Sequence, residues 1–176
     1  MILRKARSDD YNRIEELYEE SFPAEEKKAF ALLLRQQEDV GLLVIEEKDC
    51  FCGFFSLILY KDIVAIDYFA ISGNMRGKGY GSAALTFLRE YYPEMRILLE
   101  IETPYEGAEN IKQRLSRQGF YERNGFSLIG KRALVNTCDY TLMTCGGTVS
   151  MEEYYEIIKI MYDKENIESV VKEISI

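Results

Sequence analysis

One stretch constrains this chain more than any other: Asp67-Tyr-Phe-Ala-Ile-Ser-Gly-Asn-Met-Arg-Gly-Lys-Gly-Tyr-Gly-Ser-Ala-Ala-Leu85. Its first part is apolar and β-prone as far as Ser72. A polar turn carries Asn74 and Arg76, glycines alternate at Gly77, Gly79 and Gly81, and helical spacing begins at Ser82. A strand that runs through glycines into a helix N-terminus makes an anion site. Without Cβ atoms the backbone N–H groups approach a ligand closely, and the helix dipole adds about half a positive charge. Arg76 and Lys78 supply full cations. A turn with no ligand would gain nothing from three glycines in a helix's first turn, where each costs stability. The expected ligand carries phosphates.

Spacing narrows the choice of phosphate. From Gly73, the position that a Walker loop reserves for the glycine of its Gly-Lys pair holds Lys78, so the register fails. A dinucleotide fingerprint begun at Gly77 needs glycine where Ser82 stands. Begun at Gly79 it meets Ala84, a tolerated variant, but no acidic ribose clamp follows in the βαβ context. What is left is Arg76-x-x-Gly79-x-Gly81, which resembles the acyl-CoA pyrophosphate loop of the GNAT superfamily of N-acetyltransferases.

Composition sets the outer limits. The 176 residues suffice for one domain with a full core. No apolar run approaches the ~20 residues that span a bilayer, and Met-Ile-Leu-Arg-Lys lacks a signal-peptide layout, so a cytoplasmic protein is expected. A formal charge of −8 argues against nucleic acid as a partner and suits a cationic substrate. Histidine is absent, which removes Ser-His-Asp and Cys–His catalysis. Cys50, Cys52, Cys138 and Cys145 fit no common zinc spacing, so no metal is expected, and all four read as small hydrophobes in strands.

Periodicity gives the element order. Ile2 to Ala6 reads as a strand, then Ser8 and Asp9 as caps for a helix bearing Ile14, Leu17 and Tyr18. After Phe22-Pro23 a second helix is expected, from Glu25 and Lys28 to Leu33 and Leu34. Strands follow at 40–46, 51–60 and 63–71, with turns at Lys48-Asp49 and Lys61-Asp62 and a bulge marked by Gly53. A helix at 83–92, a strand at 96–102, a helix at 108–123 stopped by Asn124-Gly125, and strands at 126–131 and 137–145 complete the pattern. The strand–helix–strand step from 63–71 to 96–102 implies a parallel pair with a right-handed crossover. Ser150-Met-Glu-Glu153 is a capping box opening a last helix with Tyr154, Ile157, Ile158 and Met161 on one face. That face must be buried against the domain, a substrate cleft or a second copy in a homodimer. Ile167, Val170, Val171 and Ile174 repeat the spacing weakly.

This order resembles the GNAT arrangement over residues 1–147, leaving 148–176 as a C-terminal helical extension. Gly119-Phe-Tyr-Glu-Arg-Asn-Gly-Phe126 adds a second likeness, to the family segment in which a tyrosine precedes a Gly-Phe pair. The expected fold class is therefore α/β, of α+β mixed-sheet type: a mostly antiparallel sheet with a splayed parallel pair, flanked by helices. One position departs from the family, which often carries asparagine where Arg114 stands; Asn110 lies one turn earlier.

The resemblance implies a reaction. Acetyl-CoA is the co-substrate and a small amine or peptide amine is the acceptor, which attacks the thioester directly. Backbone groups of Phe69, Ala70 and Ile71 would pair with the pantetheine arm much as a peptide strand does, and Arg76, Gly77, Lys78, Gly79, Tyr80, Gly81 and Ser82 would hold the pyrophosphate. Tyr121 would protonate the leaving thiolate or hydrogen-bond its sulfur. An alkylamine of pKa about 10.4 is neutral in fewer than about 1 in 10³ molecules at pH 7, so a base is needed. With no histidine the candidates are carboxylates. Alternation puts Leu98, Glu100 and Glu102 on one strand face opposite Ile97, Leu99 and Ile101, and Asp67 shares a face with Phe69 and Ile71. Arg114, Arg117 and Arg123 either contact the 3′-phosphate or solvate their helix. A different class of function, a non-catalytic acyl-CoA-binding module, keeps the loop but loses Tyr121 and the carboxylates as working groups.

Overall fold

The computed structural model describes residues 1–35 and 38–174. The chain divides into two compact units, Met1–Met95 and Arg96–Ile176. Among the described residues the mixture of helices and eight strands has the expected α/β character. The expected 148–176 extension runs past the described residues at its end.

In the first unit, β1 (Ile2–Lys5), β2 (Val40–Glu47), β3 (Cys50–Tyr60) and β4 (Ile63–Ile71) pair in sequence order, each antiparallel to the next. Lys48 and Asp49 both take left-handed φ, 50° and 61°, which gives the β2–β3 turn the twist of the strands it joins. Two bulges interrupt the ladders. Ile45 faces Gly53 while Glu46 faces Phe51, leaving Cys52 as the extra residue. A Cβ on Gly53 would lie 2.1 Å from the Ala70 carbonyl oxygen, so the close strand approach admits no side chain there. Ser56 faces Tyr68 while Leu57 faces Ile66, which leaves Asp67 as the extra residue of β4.

Helix α1 (Tyr11–Ser21) lays Ile14, Leu17 and Tyr18 on Val44, Phe54, Tyr68 and Ala70 to form the core of this unit. Asp10, and not Ser8 or Asp9, stands at its entry, but its carboxylate turns back to accept from the Arg7 amide at 2.8 Å and pairs with Arg4 and Arg13. Helix α2 (Tyr80–Tyr91) packs against β1 and stops before Pro93.

The helix expected over Glu25–Leu34 does not form. A turn at 24–26 leads into extended backbone and a single 3-10 turn at Phe30–Leu32. Tertiary partners take the backbone groups that a helix would need. The Tyr18 hydroxyl accepts from the Lys28 amide at 2.8 Å and donates to the Lys28 carbonyl at 3.0 Å, and Tyr68 donates to the Glu26 carbonyl at 2.7 Å. Helical propensity is a small preference per residue, and three anchored backbone groups outweigh it.

In the second unit the strand order is β5 (Arg96–Glu102), β7 (Cys138–Cys145), β6 (Ser127–Val135) and β8 (Val171–Ile174), all antiparallel. Helix α3 (Ile111–Arg123) ends in a Schellman motif. The Gly125 amide donates to the Glu122 carbonyl and the Phe126 amide to that of Tyr121, with Gly125 at φ 86°. Helix α4 (Met151–Tyr162) opens on the expected capping box, Ser150 Oγ accepting from Glu153 N at 3.2 Å and Glu153 Oε2 from Ser150 N at 2.9 Å. Tyr154, Ile157 and Ile158 are wholly buried within the chain. The weak helical spacing over 167–174 is overturned: 171–174 is strand β8, whose backbone pairs with β6 from Val135–Val171 to Arg132–Ile174.

Candidate functional site

The glycine loop follows β4 through a 3-10 turn at Gly73–Met75 and enters α2 at Gly79. Gly77 and Gly79 take φ of 72° and 84°, and a Cβ on either would meet nothing within 4 Å. The glycines therefore serve backbone direction, while the space beside them stays open. The ladder of α2 begins with Ala83 N on Gly79 O at 3.0 Å, so the amides of its first turn, Tyr80 to Ser82, precede the helix's own hydrogen bonds. Successive donors at a helix N-terminus form an anion-binding concavity. The two expected cations divide their roles. Arg76 braces the loop, Nε donating to the Ile71 carbonyl at 2.8 Å and Nη2 to Ser21 Oγ at 3.0 Å, whereas Lys78 stands exposed.

Just upstream, Phe69 stacks on Phe55 with ring centres 4.3 Å apart, Ala70 is buried, and Ile71 is half-buried. Asp67, thrown out of the ladder by its bulge, meets Lys28 Nζ at 2.5 Å through Oδ1 and Ser56 Oγ at 3.3 Å through Oδ2. Lys28 also lies 5.1 Å over the Tyr68 ring. The spacing of residues around Asp67 carries no sign of Lys28 or Ser56; a cation 39 positions away reaches Asp67 because 27–29 leave the helical path, with the Lys28 backbone anchored on Tyr18.

In the second unit, Ile97, Leu99 and Ile101 are buried as alternation requires, and so is Leu98 on the opposite face. Glu100 and Glu102 on that face are half-buried beneath helices of their own unit. The Tyr154 hydroxyl of α4 donates to Glu100 Oε1 at 2.6 Å. Glu102 faces α3: Arg114 Nη2 lies 2.8 Å from Oε1, Arg117 Nη1 3.1 Å from Oε2, and Asn110 Nδ2 3.5 Å from Oε2. Asn110 stands at the start of α3, and its side-chain oxygen accepts from Arg114 Nε at 2.6 Å. Two of the three arginines considered for the 3′-phosphate thus answer Glu102, and Arg123 is exposed. Tyr154 escaped notice because it shares a face with Ile157, Ile158 and Met161; its signal was a polar-tipped aromatic on an otherwise apolar stripe.

Tyr121 is half-buried on the last turn of α3, its ring set edge-on to Phe120 and Phe126. Its hydroxyl donates to no described residue. Burial pushes the phenol up to about 12, against the Arg117 charge one turn earlier, which pulls it down. The Tyr–Gly–Phe spacing has a local cause as well, since Tyr121 and Phe126 are the two residues a Schellman stop brings into contact.

Among the described residues no helix is long and apolar enough to cross a membrane, and no group of three His, Cys, Asp or Glu side chains is placed to hold a metal. No disulfide joins the four cysteines; Cys52 is buried and Cys50 exposed.

Against known proteins, the chain has no sequence match among curated ones. Its backbone resembles that of a solved protein from Bacteroides thetaiotaomicron described as a GNAT-family acetyltransferase, with 25% identity, TM-score 0.79, and coverage of 92% of this chain and 98% of the other. The same fold is shared with the ribosomal-protein-S18-alanine N-acetyltransferase of Escherichia coli, at 15% identity, TM-score 0.63 and coverage of 84% and 94%. It is also shared with an aminoglycoside 6′-N-acetyltransferase complexed with coenzyme A, at 13% identity, TM-score 0.58 and coverage of 82% and 96%. The sequence model of the acetyltransferase (GNAT) family matches residues 11–126, well over half the chain and spanning both the glycine loop and the Tyr121 segment, and the chain belongs to that family.

Proposed function

We propose that the chain is an acetyl-CoA-dependent N-acetyltransferase that moves an acetyl group to a primary amine by direct attack in a ternary complex. The observation that carries this reading is the row of first-turn amides of α2, Tyr80 to Ser82, beside the open space at Gly77 and Gly79. A row of donors at a helix N-terminus suits a pyrophosphate, and a solved relative by fold binds coenzyme A. In this reading the 77–82 amides and Lys78 hold the pyrophosphate, Arg76 keeps the loop in shape, and the backbone of Phe69, Ala70 and Ile71 aligns the pantetheine arm. Acetyl-CoA supplies the thioester carbonyl as the electrophile.

Tyr121 donates a hydrogen bond to the departing sulfur. Full proton transfer from a phenol at about 12 to a thiolate whose conjugate acid lies at about 8.5 is uphill by about 3.5 pH units, so stabilising the sulfur by hydrogen bonding is the better use of this hydroxyl. We assign the base to Glu100, acting on the ammonium directly or through a water. Asp67 is held by Lys28, and Glu102 by Arg114 and Arg117, while Glu100 accepts from the Tyr154 phenol, which orders its carboxylate. Asp67 and Glu102 then shape the surroundings, one by holding the 24–29 segment and the other by holding α3. Acidic residues Glu16, Glu19, Glu20, Glu25 and Glu26 favour a cationic acceptor, and a CoA-dependent reaction suits the cytoplasm.

Titration calorimetry with acetyl-CoA, followed by coupled CoA-release assays over a panel of polyamines, aminoglycosides, amino acids and peptide N-termini, tests the reading. Binding plus turnover of at least one amine is expected. Absence of acetyl-CoA binding would overturn it, and binding with no turnover across the panel would make the chain an acyl-CoA-binding module.

A further inference from the structure

We infer that Tyr154 is a positioning residue for acyl transfer: from a helix beyond the family-matched segment, it fixes the orientation of Glu100 and holds that carboxylate in its ionised form. The inference rests on the reading above with Glu100 as the base. Tyr154 has no solvent exposure, and its hydroxyl lies 2.6 Å from Glu100 Oε1. The contact is held from its own end of the helix. Arg96, the first residue of β5, donates to both carboxylate oxygens of Glu153, at 2.8 and 3.2 Å, and to the Thr148 carbonyl at 2.6 Å. Strand β5 and helix α4 are therefore pinned at Arg96–Glu153 and again at Glu100–Tyr154.

A phenylalanine would fill the same space. The hydroxyl adds one charge-assisted hydrogen bond to a half-buried carboxylate and offsets part of its desolvation. Groups near the pair include Tyr140 from β7, Tyr162 from α4, and, two residues along the strand, Glu102 with Arg114 and Arg117 of α3. Burial and the neighbouring Glu100 charge push the Tyr154 phenol well above its usual value, so it stays a donor at any working pH. The family match ends at residue 126, so α4 contributes its phenol from outside the matched segment.

The test compares wild type, Tyr154→Phe, Tyr162→Phe and Glu100→Gln by two readouts. One is carbon-13 NMR titration of labelled glutamate carboxyls, with Glu100 assigned from the Glu100→Gln spectrum; the other is the pH profile of kcat/KM. Removing the donor should raise the Glu100 midpoint by about one pH unit and move the acid limb of the profile up with it. Tyr162→Phe should leave both in place, and Glu100→Gln should abolish the limb. An unchanged Glu100 midpoint in Tyr154→Phe overturns the positioning role. A shifted midpoint with an unshifted rate profile overturns Glu100 as the base, and with it the link from Tyr154 to catalysis, while acetyl-CoA binding tests the donor loop separately. Should Tyr154→Phe fold poorly by circular dichroism, site-specific replacement by 3,5-difluorotyrosine serves instead. Its more acidic phenol should lower the midpoint, and a rise or no change overturns the inference.

Discussion

Lys28 Nζ lies 2.5 Å from Asp67 Oδ1, and both side chains are more than nine-tenths buried. Removing one partner of such a pair strands the other charge. Lys28→Met should therefore cost about 3–5 kcal/mol, and the double change Lys28→Met with Asp67→Leu should recover most of it. Urea unfolding of the four variants completes the cycle; a loss under 1 kcal/mol for Lys28→Met would mean that water already screens the pair.

Gly79→Ala isolates the backbone geometry of the loop. Since an added Cβ meets no atom within 4 Å, the cost comes from the φ of 84° alone, about 1 kcal/mol in stability. Re-aimed amides should weaken acetyl-CoA binding about tenfold or more, measured by calorimetry. Unaltered affinity would remove this amide row from the donor site.

Gly53→Ala should be far more damaging to folding, because its Cβ falls 2.1 Å from the Ala70 carbonyl oxygen and the contact is backbone on both sides. Overpacking of this kind costs about 1–3 kcal/mol or more. A thermal melt indistinguishable from wild type would show that β3 and β4 can part without penalty.

The Asp10 carboxylate is held well below the usual range, first by Arg4, then by the Arg7 amide and Arg13. A carboxylate with a depressed native value stabilises the fold fully above its unfolded value of ~3.9, and that contribution drains away as the pH falls further. Asp10→Asn should lose stability at neutral pH and show a flatter decline than wild type below about pH 4. Parallel acid-unfolding curves would contradict the coupling.

Tyr121→Phe should lower kcat by about 10–10² and leave the acetyl-CoA dissociation constant within about threefold. The phenol's raised native value adds a stability signature: its contribution is whole below the unfolded value of ~10 and is lost as the pH rises toward about 12. Wild type should thus show an alkaline loss over that interval that the variant lacks. Equal kcat for both proteins would relegate Tyr121 to its place in the helix stop.

How much of this was legible in the sequence depended on how local the cause was. Strands β4 and β5 stand at their expected bounds because continuous apolar residues and flanking turns define them within a few positions. The Ser150 box and the Gly125 stop were equally readable, each being a hydrogen-bond pattern closed within about six residues. The segment 25–34 was misread because its backbone partners, Tyr18 and Tyr68, sit on other elements. Strand β8 was misread because four apolar residues at mixed spacing fit a helix until β6 offers an edge.

The same division runs through the candidate site. Sequence by itself determined the loop: glycine alternation, cations and a helix start are consecutive in the chain, and left-handed backbone beside first-turn amides follows from them directly. It also named Glu100, Glu102, Asp67 and Tyr121 as candidates for the chemistry. Only the tertiary structure decided what each one faces: a lysine 39 residues away for Asp67, two arginines of α3 for Glu102, a phenol 54 residues away for Glu100. A carboxylate's charge, basicity and freedom to act depend on the groups within a few ångströms, and folding brings those groups from distant parts of the chain.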